Sequence, residues 1–569
     1  MIRARDVASL AGLGKLEDRE YSCGSELWSV LVARQIGALF KKNEAFTDDD
    51  RCTAAAQKNF ERGETICRIT NRRLDWYYLH PDRLDPELGK LIQSMEQDIA
   101  YLLGDTEDFL SAMPSLVRLT NGATEDRSRK RSLPFLKVSG KLRGPRAAIP
   151  HIANLLSEMG VDLSSCKYDI VNNNVIDVVL KNWETHRTIA KEPSSILPFQ
   201  LALDAWFKSK LRRWGIDLSS QAKNQEAARR GSIDGTIATV DLVMASDTCS
   251  YNAVALTTPT EWFKLLCSFR SSSYKAPWGE GEYAKFSSMG NGYTFTLETL
   301  IFTAACRAVG SRQYAVYGDD IALETELVPQ LVRLLRFLGF SVNDAKSFYH
   351  PDSRFRESCG CDYYKGEFIT PFYLRSCPKE TDRAGMSHAL NGLISAALCP
   401  GPVWDWAYTE VQRLKLRLVP WNEDPRSGVF ITPNRAWRSG KLSTDRRRTV
   451  GGRPNAMFGQ PVFRGYTTVQ DSRKTNGWRS LFLWFLNKSQ TSSHPLCEVP
   501  KRTGVYLLYA AKLRELELYG PAATVVSSTA VRSRYVHSTC RFNPSIVTAT
   551  PAHLFLWDEV VGGLLARKP

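Results

Sequence analysis

The chain of 569 residues carries thirteen cysteines but no C-x-x-C pair, so neither a zinc ribbon nor a disulfide framework is suggested. Most of the cysteines read as small buried apolar residues. Cys359 and Cys361 in "SCGCDYY" lack a fourth ligand at recognised spacing even when His350 is added, and a structural metal site there is set aside. Long apolar runs are missing as well, none approaching the ~20 residues that span a bilayer. The opening "MIRARDVASLAGLG" is basic yet lacks the apolar segment of a secretory signal, and the protein is expected to be cytosolic. No internal repeat or low-complexity tract is evident.

Acidic charge is also in deficit. Lys and Arg number 75 against 60 Asp and Glu, a formal charge of +15 that favours a polyanionic partner, because each cation placed on a phosphate releases condensed counterions. Nucleic acid leads as that partner and an anionic membrane follows. Hydrophobic residues at 43% exclude a disordered chain, and aromatics at 11% supply rings for cores or for stacking on bases. The length implies about three or four modules.

The first 125 residues read as mainly helical, with "DDDRCTAAAQKNFERGETICRITNRRL" carrying acids at its start and arginines at its end. The basic stretch from Arg127 to Arg146 is either a solvated loop or a surface facing phosphates. "VNNNVIDVVL" predicts a turn and a strand, and "TIATV" a strand ending near Asp241. "YNAVALTTPTEWFKLLCSF" is helical with a break at Pro259, and in the next helix Leu297, Leu300, Ile301 and Ala304 mark one apolar face. "QYAVY" and "IALET" are two strands of a hairpin; Val328, Leu331, Leu335 and Leu338 form a helical stripe stopped by Gly339, and "FSVNDAKSFY" returns as a strand. The order contains the split β-α-β pattern of a ferredoxin-like sheet, which sets the end of the Asp241 strand beside the hairpin turn. Basic residues mixed with Trp421 and Trp437 further on fit an RNA-tracking surface or a loop-rich scaffold.

"YAVYGDDIAL" places Asp319 and Asp320 side between two apolar stretches. On its own, GDD is compatible with an ordinary polar turn. If Asp241 joins the pair, three carboxylates share a small volume, and hard divalent cations, chiefly two Mg²⁺ with Mn²⁺ able to substitute, make that tolerable. Two such ions suit phosphoryl transfer.

"TVDLVMASDTCS", "SSMGNGYTFTLETLIF", "YAVYGDDIAL", "GFSVNDAKSF" and "FRESCGCDYYKGEFITPFYLR" resemble, in order, the palm motifs of RNA-directed RNA polymerases. With "CRITNRRL", "VVLKNWETHRTIAKEP" and "LRRWGIDLSSQAKNQEAARRGS" upstream, the stretch from Cys52 to Ser376 resembles the catalytic subunit of leviviral RNA bacteriophage replicases of the Qβ type. The resemblance implies that Asp241, Asp319 and Asp320 bind metal and that Asp247 and Asn291 read the ribose. It implies that Lys181, Arg187 and Lys191 grip the incoming triphosphate, that Lys346 gives a proton to departing pyrophosphate, and that Arg356, Glu357 and Ser358 support the growing 3′ end. Bulky Val243 and Met244 depart from the small polar residues more usual after the first Asp.

The expected fold is α+β, a right-hand polymerase with a ferredoxin-like antiparallel palm, helical and basic fingers, and a C-terminal thumb. Its boundaries are expected at 1–235 for the N-terminal region and fingers, 236–376 for the palm, and 377–569 for the thumb and C-terminal region. The resemblance implies RNA-directed RNA synthesis from ribonucleoside triphosphates, replicating a single-stranded RNA phage genome without a primer. It implies host elongation factors Tu and Ts and an RNA-binding ribosomal protein as partners, no membrane, and the cytoplasm of the infected bacterium. A reverse transcriptase-like polymerase and a non-catalytic RNA-binding assembly protein are the rival readings; Asp247 and Asn291 speak against the first, and the full set of acids against the second.

Overall fold

The computed structural model describes residues 27–431 except 119, 121, 129–140, 159–166, 351, 397–399, 420–424 and 427, together with short segments between 442 and 541. The opening basic segment, the centre of the Arg127–Arg146 stretch, Trp421, Trp437 and most of the expected thumb lie outside the described residues.

Helices come first, as the composition predicts: α1 Leu27–Lys41, α2 Asp49–Leu79, α3 Pro86–Leu103 and α4 Thr106–Leu116. The start of α2 is set by Asp48, whose side chain accepts from Arg51 N, with Asp49 and Asp50 completing an acidic first turn. Asp85 caps α3 over Pro86, and Leu88, Leu91, Ile92, Met95, Ile99 and Leu102 bury one stripe. Strands β1 Lys141–Gly144 and β2 Lys167–Ile170 pair in parallel. They precede β3 Asn173–Leu180 and β4 His186–Lys191, an antiparallel hairpin.

After α5 Leu197–Leu211 and α6 Ala222–Asp234 comes β5 Ile237–Val240, buried at every position. The chain then makes α7 Ala245–Thr248, α8 Tyr251–Thr257 and α9 Thr260–Ser268, with Pro259 at the last break. Strands β6 Ser273–Ala276 and β7 Gly279–Glu282 complete a four-stranded sheet in the order β4-β3-β6-β7. Helix α10 Thr294–Ala308 leads to β8 Ala315–Tyr317 and β9 Asp320–Glu324, which join β5 in an antiparallel sheet of order β5-β9-β8. Helix α11 Val328–Phe337 ends at Gly339, whose φ of 98° is free of strain only without a side chain. Strands β10 Phe355–Ser358, β11 Cys361–Tyr364 and β12 Glu367–Phe368 form a separate antiparallel sheet. Mixed helices and mainly antiparallel sheets make this an α+β fold.

Two details differ from expectation. The segment "FSVNDAKSFY" is not a continuous strand: it touches β5 through the bridge Thr239–Phe348, and Leu242, two residues past the end of β5, through Leu242–Val342. Between those bridges, Lys346 N donates to Asn343 O at 2.9 Å, so a turn lifts Lys346 out of the sheet. Helix α10 buries more than the apolar face: from Thr296 to Cys306 every residue is buried, Glu298, Thr299 and Thr303 included, while Phe295 is exposed. The threonines make this tolerable by bonding to their own helix, Thr299 to Phe295 O at 2.8 Å and Thr303 to Thr299 O at 2.6 Å. Among the described residues, no helix is long and apolar enough to cross a membrane.

Candidate active site at the end of the three-stranded sheet

Strand register brings the acids together. Val240 pairs with Ile321 and Tyr317 with Asp320, so Asp241, one residue past the end of β5, continues the ladder toward Asp320. Asp319 occupies the two-residue turn between β8 and β9. Gly318 opens that turn at φ 63°, as a two-residue hairpin loop with Gly first requires, and a Cβ there would run into the Phe295 ring. Two buried neighbours pin the hairpin: Gly318 N donates to Thr299 Oγ1 at 3.0 Å, and Asn224 Nδ2 donates to Asp320 O at 3.0 Å.

Asp241 is held from the facing turn. Its Oδ2 accepts from Asn343 Nδ2 at 2.7 Å and lies 3.4 Å from Lys346 Nζ, while its own N donates to Ser347 Oγ at 3.0 Å. Burial raises the Asp241 carboxyl to about 6; Lys346 and Asn343 oppose the rise, and Asp319 and Glu357 add to it. Asp320 is raised to about 7, again first by burial, then by the charges of Asp319, Asp241 and Glu357 against a backbone hydrogen bond from Cys359. Burial works against the charge of Lys346, but Asp241, Glu357 and Asp320 outweigh it and its pKa stands above the ordinary value.

An all-carboxylate set suits a hard cation. Among the described residues, however, no three His, Cys, Asp or Glu side chains stand in a metal-binding arrangement. Asp241 is turned to Asn343 and Lys346 instead.

The remaining candidates divide. Lys181, just past β3, has its pKa lowered by burial and by Arg187 and Lys346, with Asp241 and Asp247 pulling it back up, which puts it in reach of the acids. Arg187 pairs with Val179 in the adjoining ladder and is exposed. Lys191 lies four residues further along β4, roughly 13 Å on, and is tied to Asp177 at 2.6 Å. Asp247 sits in α7 with Oδ1 2.8 Å from Lys285 Nζ. Asn291 is buried, its Oδ1 accepting from Tyr293 N at 3.0 Å and its Nδ2 without a hydrogen-bond partner. Arg356 is buried and donates to Ile237 O at 2.7 Å, which makes it a brace between β10 and β5. Met244 sits in the left-handed region at φ 52°, where the chain bends from Asp241 into α7.

Glu357, which the resemblance assigns to supporting the growing 3′ end, is also a fourth carboxylate whose charge reaches both Asp241 and Asp320. Several other contributing side chains carry no assigned role in the sequence reading. Glu298 is buried in α10, its carboxyl raised by burial and then by Asp319 and Asp247, and its Oε1 has no hydrogen-bond partner. Lys41 ends α1 and Lys42 follows it; burial lowers both and Glu357 pulls both up. Lys285 and Glu64, beside Asp247, are 1% and 6% exposed and are visible only in three dimensions.

The profile of the family described as "RNA replicase, beta-chain" matches residues 35–391. The chain is similar to the RNA-directed RNA polymerase subunit beta of Escherichia virus Qbeta, 37% identical over 378 residues, which is 64% of this chain and 62% of that protein. It is similar to the same subunit of Enterobacteria phage SP, 34% identical over 376 residues, 65% of this chain and 64% of the relative. The chain therefore spans somewhat under two thirds of the length of these relatives. Among solved structures, the RNA-dependent RNA polymerase of a human picorbirnavirus aligns at 13% identity and a TM-score of 0.31, covering 42% of this chain and 56% of that one.

Proposed function

Because this chain belongs to the RNA replicase beta-chain family, we propose that it is the catalytic subunit of an RNA bacteriophage replicase, an RNA-directed RNA polymerase that joins ribonucleoside triphosphates along a single-stranded RNA template. The observation that carries this reading is the β5–β9 register, which sets Asp241 against Asp320 and the Asp319 turn. In this reading the β5-β9-β8 sheet is the core of the palm, and the N-terminal helices with the β4-β3-β6-β7 sheet belong to the fingers.

Two Mg²⁺ ions, with Mn²⁺ as a substitute, held by Asp241, Asp319 and Asp320 would activate the attacking 3′-hydroxyl and offset charge on the phosphates. The protein's own groups do the rest. Arg187 forks onto phosphate oxygens and Lys181 adds a second cation on the side of the acids. Lys346, kept protonated by Asp241 and Glu357, is suited to give its proton to the leaving pyrophosphate. Asp247 and Asn291 carry the acceptor and donor that a ribose 2′-hydroxyl needs. Lys191, bound to Asp177, acts at most on the outer part of the triphosphate path.

Synthesis starting without a primer, assembly with host elongation factors Tu and Ts and an RNA-binding ribosomal protein, and action in the cytoplasm of the infected bacterium follow from the family reading. The test is incubation of the full chain, with and without a bacterial lysate fraction, with template RNA, Mg²⁺ and labelled ribonucleotides. Asp319→Asn is expected to lower product by on the order of 10³ or more while leaving RNA retention on a filter intact. Undiminished synthesis by the variant would overturn the assignment.

A further inference from the structure

Lys285 is a lysine buried to 1% side-chain exposure immediately before the glycine-rich loop. Its ammonium lies 2.8 Å from Asp247 Oδ1, 3.7 Å from Glu64 Oε1, and 4.1 Å from the centre of the Phe60 ring. A cation so far from water is held by charge on two sides and a π face on a third. Helix α2 closes the arrangement. A Cβ on Gly63 would meet Asp247 O at 2.8 Å, the Cys67 thiol lies 3.5 Å from the same oxygen, and Glu64 Oε2 accepts from Ala284 N at 2.7 Å. Asp247 is thereby fixed by its backbone against α2 and by one carboxylate oxygen against Lys285. With its side chain 21% exposed, Asp247 still reaches solvent.

We infer that Lys285, seated by Glu64 and Phe60, is a positioning residue that orients the Asp247 carboxylate and so sets the selection of ribose over deoxyribose. The inference rests on the proposed role of Asp247 as a ribose reader. Lys285 touches no substrate; it occupies one acceptor oxygen and leaves the other to receive the 2′-hydroxyl in a defined direction. A carboxylate with neither oxygen held would turn between rotamers, and an unheld partner discriminates poorly between a hydroxyl and a hydrogen.

The experiment compares kcat/KM for a ribonucleotide and its 2′-deoxy counterpart in the full chain copying one RNA template. Asp247→Ala serves as the reference: if it leaves the ratio unchanged, the reading of Asp247 fails and this inference with it. If Asp247→Ala lowers the ratio, Lys285→Met is expected to lower it by about tenfold or more, chiefly through a raised KM for the ribonucleotide with deoxynucleotide use little changed. Parallel losses for both nucleotides, or an unchanged ratio, would mean that Lys285 is structural only and overturn the inference while sparing the function. Should Lys285→Met give no cooperative melt, Glu64→Gln decides, since it removes one of the two charges that seat Lys285 while keeping an acceptor for Ala284 N: a fall of about threefold or more in the ratio supports the inference, and an unchanged ratio overturns it.

Discussion

Among the described residues, two pairs of carboxylates face each other within or at the end of antiparallel strands, and they are treated differently. Glu357 and Asp362 are directly paired between β10 and β11, an unfavourable placement for like charges. There α1 brings a guanidinium across: Arg34 Nε donates to Asp362 Oδ2 at 2.6 Å, and its Nη2 lies 3.9 Å from Glu357. Asp241 and Asp320 meet at the end of β5 and β9 with Asp319 beside them. Their cationic neighbour within ion-pair distance, Lys346, is 44% exposed and reaches Asp241 alone. The first pair is offset in part from within the chain by one buried guanidinium, although burial and Glu357 still hold the Asp362 carboxyl above its ordinary value. The second keeps an excess of negative charge in a buried place, the condition under which a cation supplied from outside binds.

The sharpest way to break the contrast is to remove the internal cation. Arg34→Met keeps much of the stem but leaves Asp362, 2% exposed, without its partner and facing Glu357. Stripping one member from a buried pair costs about 3–5 kcal/mol, so the urea midpoint is expected to fall steeply. An unchanged midpoint would show that the Glu357–Asp362 pair is not the balanced one.

The acid centre should respond with the opposite sign. The Asp241 and Asp320 carboxyls are raised from 3.8 to about 6 and about 7, mainly by burial. Both groups bind protons more tightly folded than unfolded. Their contribution to stability is therefore unpenalised below about pH 4, declines as pH rises through 4 to 7, and stays at its lowest above that. In EDTA the fold is expected to lose on the order of a few kcal/mol from these groups between pH 5 and pH 8. Asp320→Asn should flatten that slope and raise the melting temperature at pH 8 while abolishing synthesis. Added Mg²⁺ should restore wild-type stability at pH 8 more than at pH 5. A slope that survives in Asp320→Asn would locate the uncompensated charge elsewhere.

How far this was legible beforehand depends on the range of each interaction. The β-branched strand ending at Asp241 and the hairpin around Gly318 are local patterns, and a short antiparallel sheet leaves few ways to arrange them. Arg34 and Lys285 left no such trace. Arg34 reaches Asp362 across 328 positions, and Lys285 meets Glu64 from another element; nothing periodic in the chain announces a partner that distant. In helix α10 apolar spacing identified one buried face, and the burial of its other faces had no apolar signal because threonines that bond to their own helix fill them. The missing strand at "FSVNDAKSFY" goes with a tertiary contact that no local pattern announces: the backbone turns, and Asn343 and Lys346 meet Asp241.

That contact depends on the bend opposite, which gives the smallest of the expected effects. Met244 adopts φ 52° so that Val243 N can donate to Ser341 O at 2.8 Å and Asp247 N can bond to Met244 O at 2.9 Å. A side chain in this region costs about 1–2 kcal/mol relative to glycine, partly offset by the extra freedom glycine has when unfolded. Met244→Gly is therefore expected to raise stability by about 1 kcal/mol or less, read as a small upward shift of the melting temperature, with the acids and Asp247 kept in register. If the same change instead lowers stability and the ribonucleotide preference together, the methionine side chain, rather than the bend itself, is what braces Asp241 and Asp247. The acid centre would then depend on local packing as strongly as the Glu357–Asp362 pair depends on Arg34.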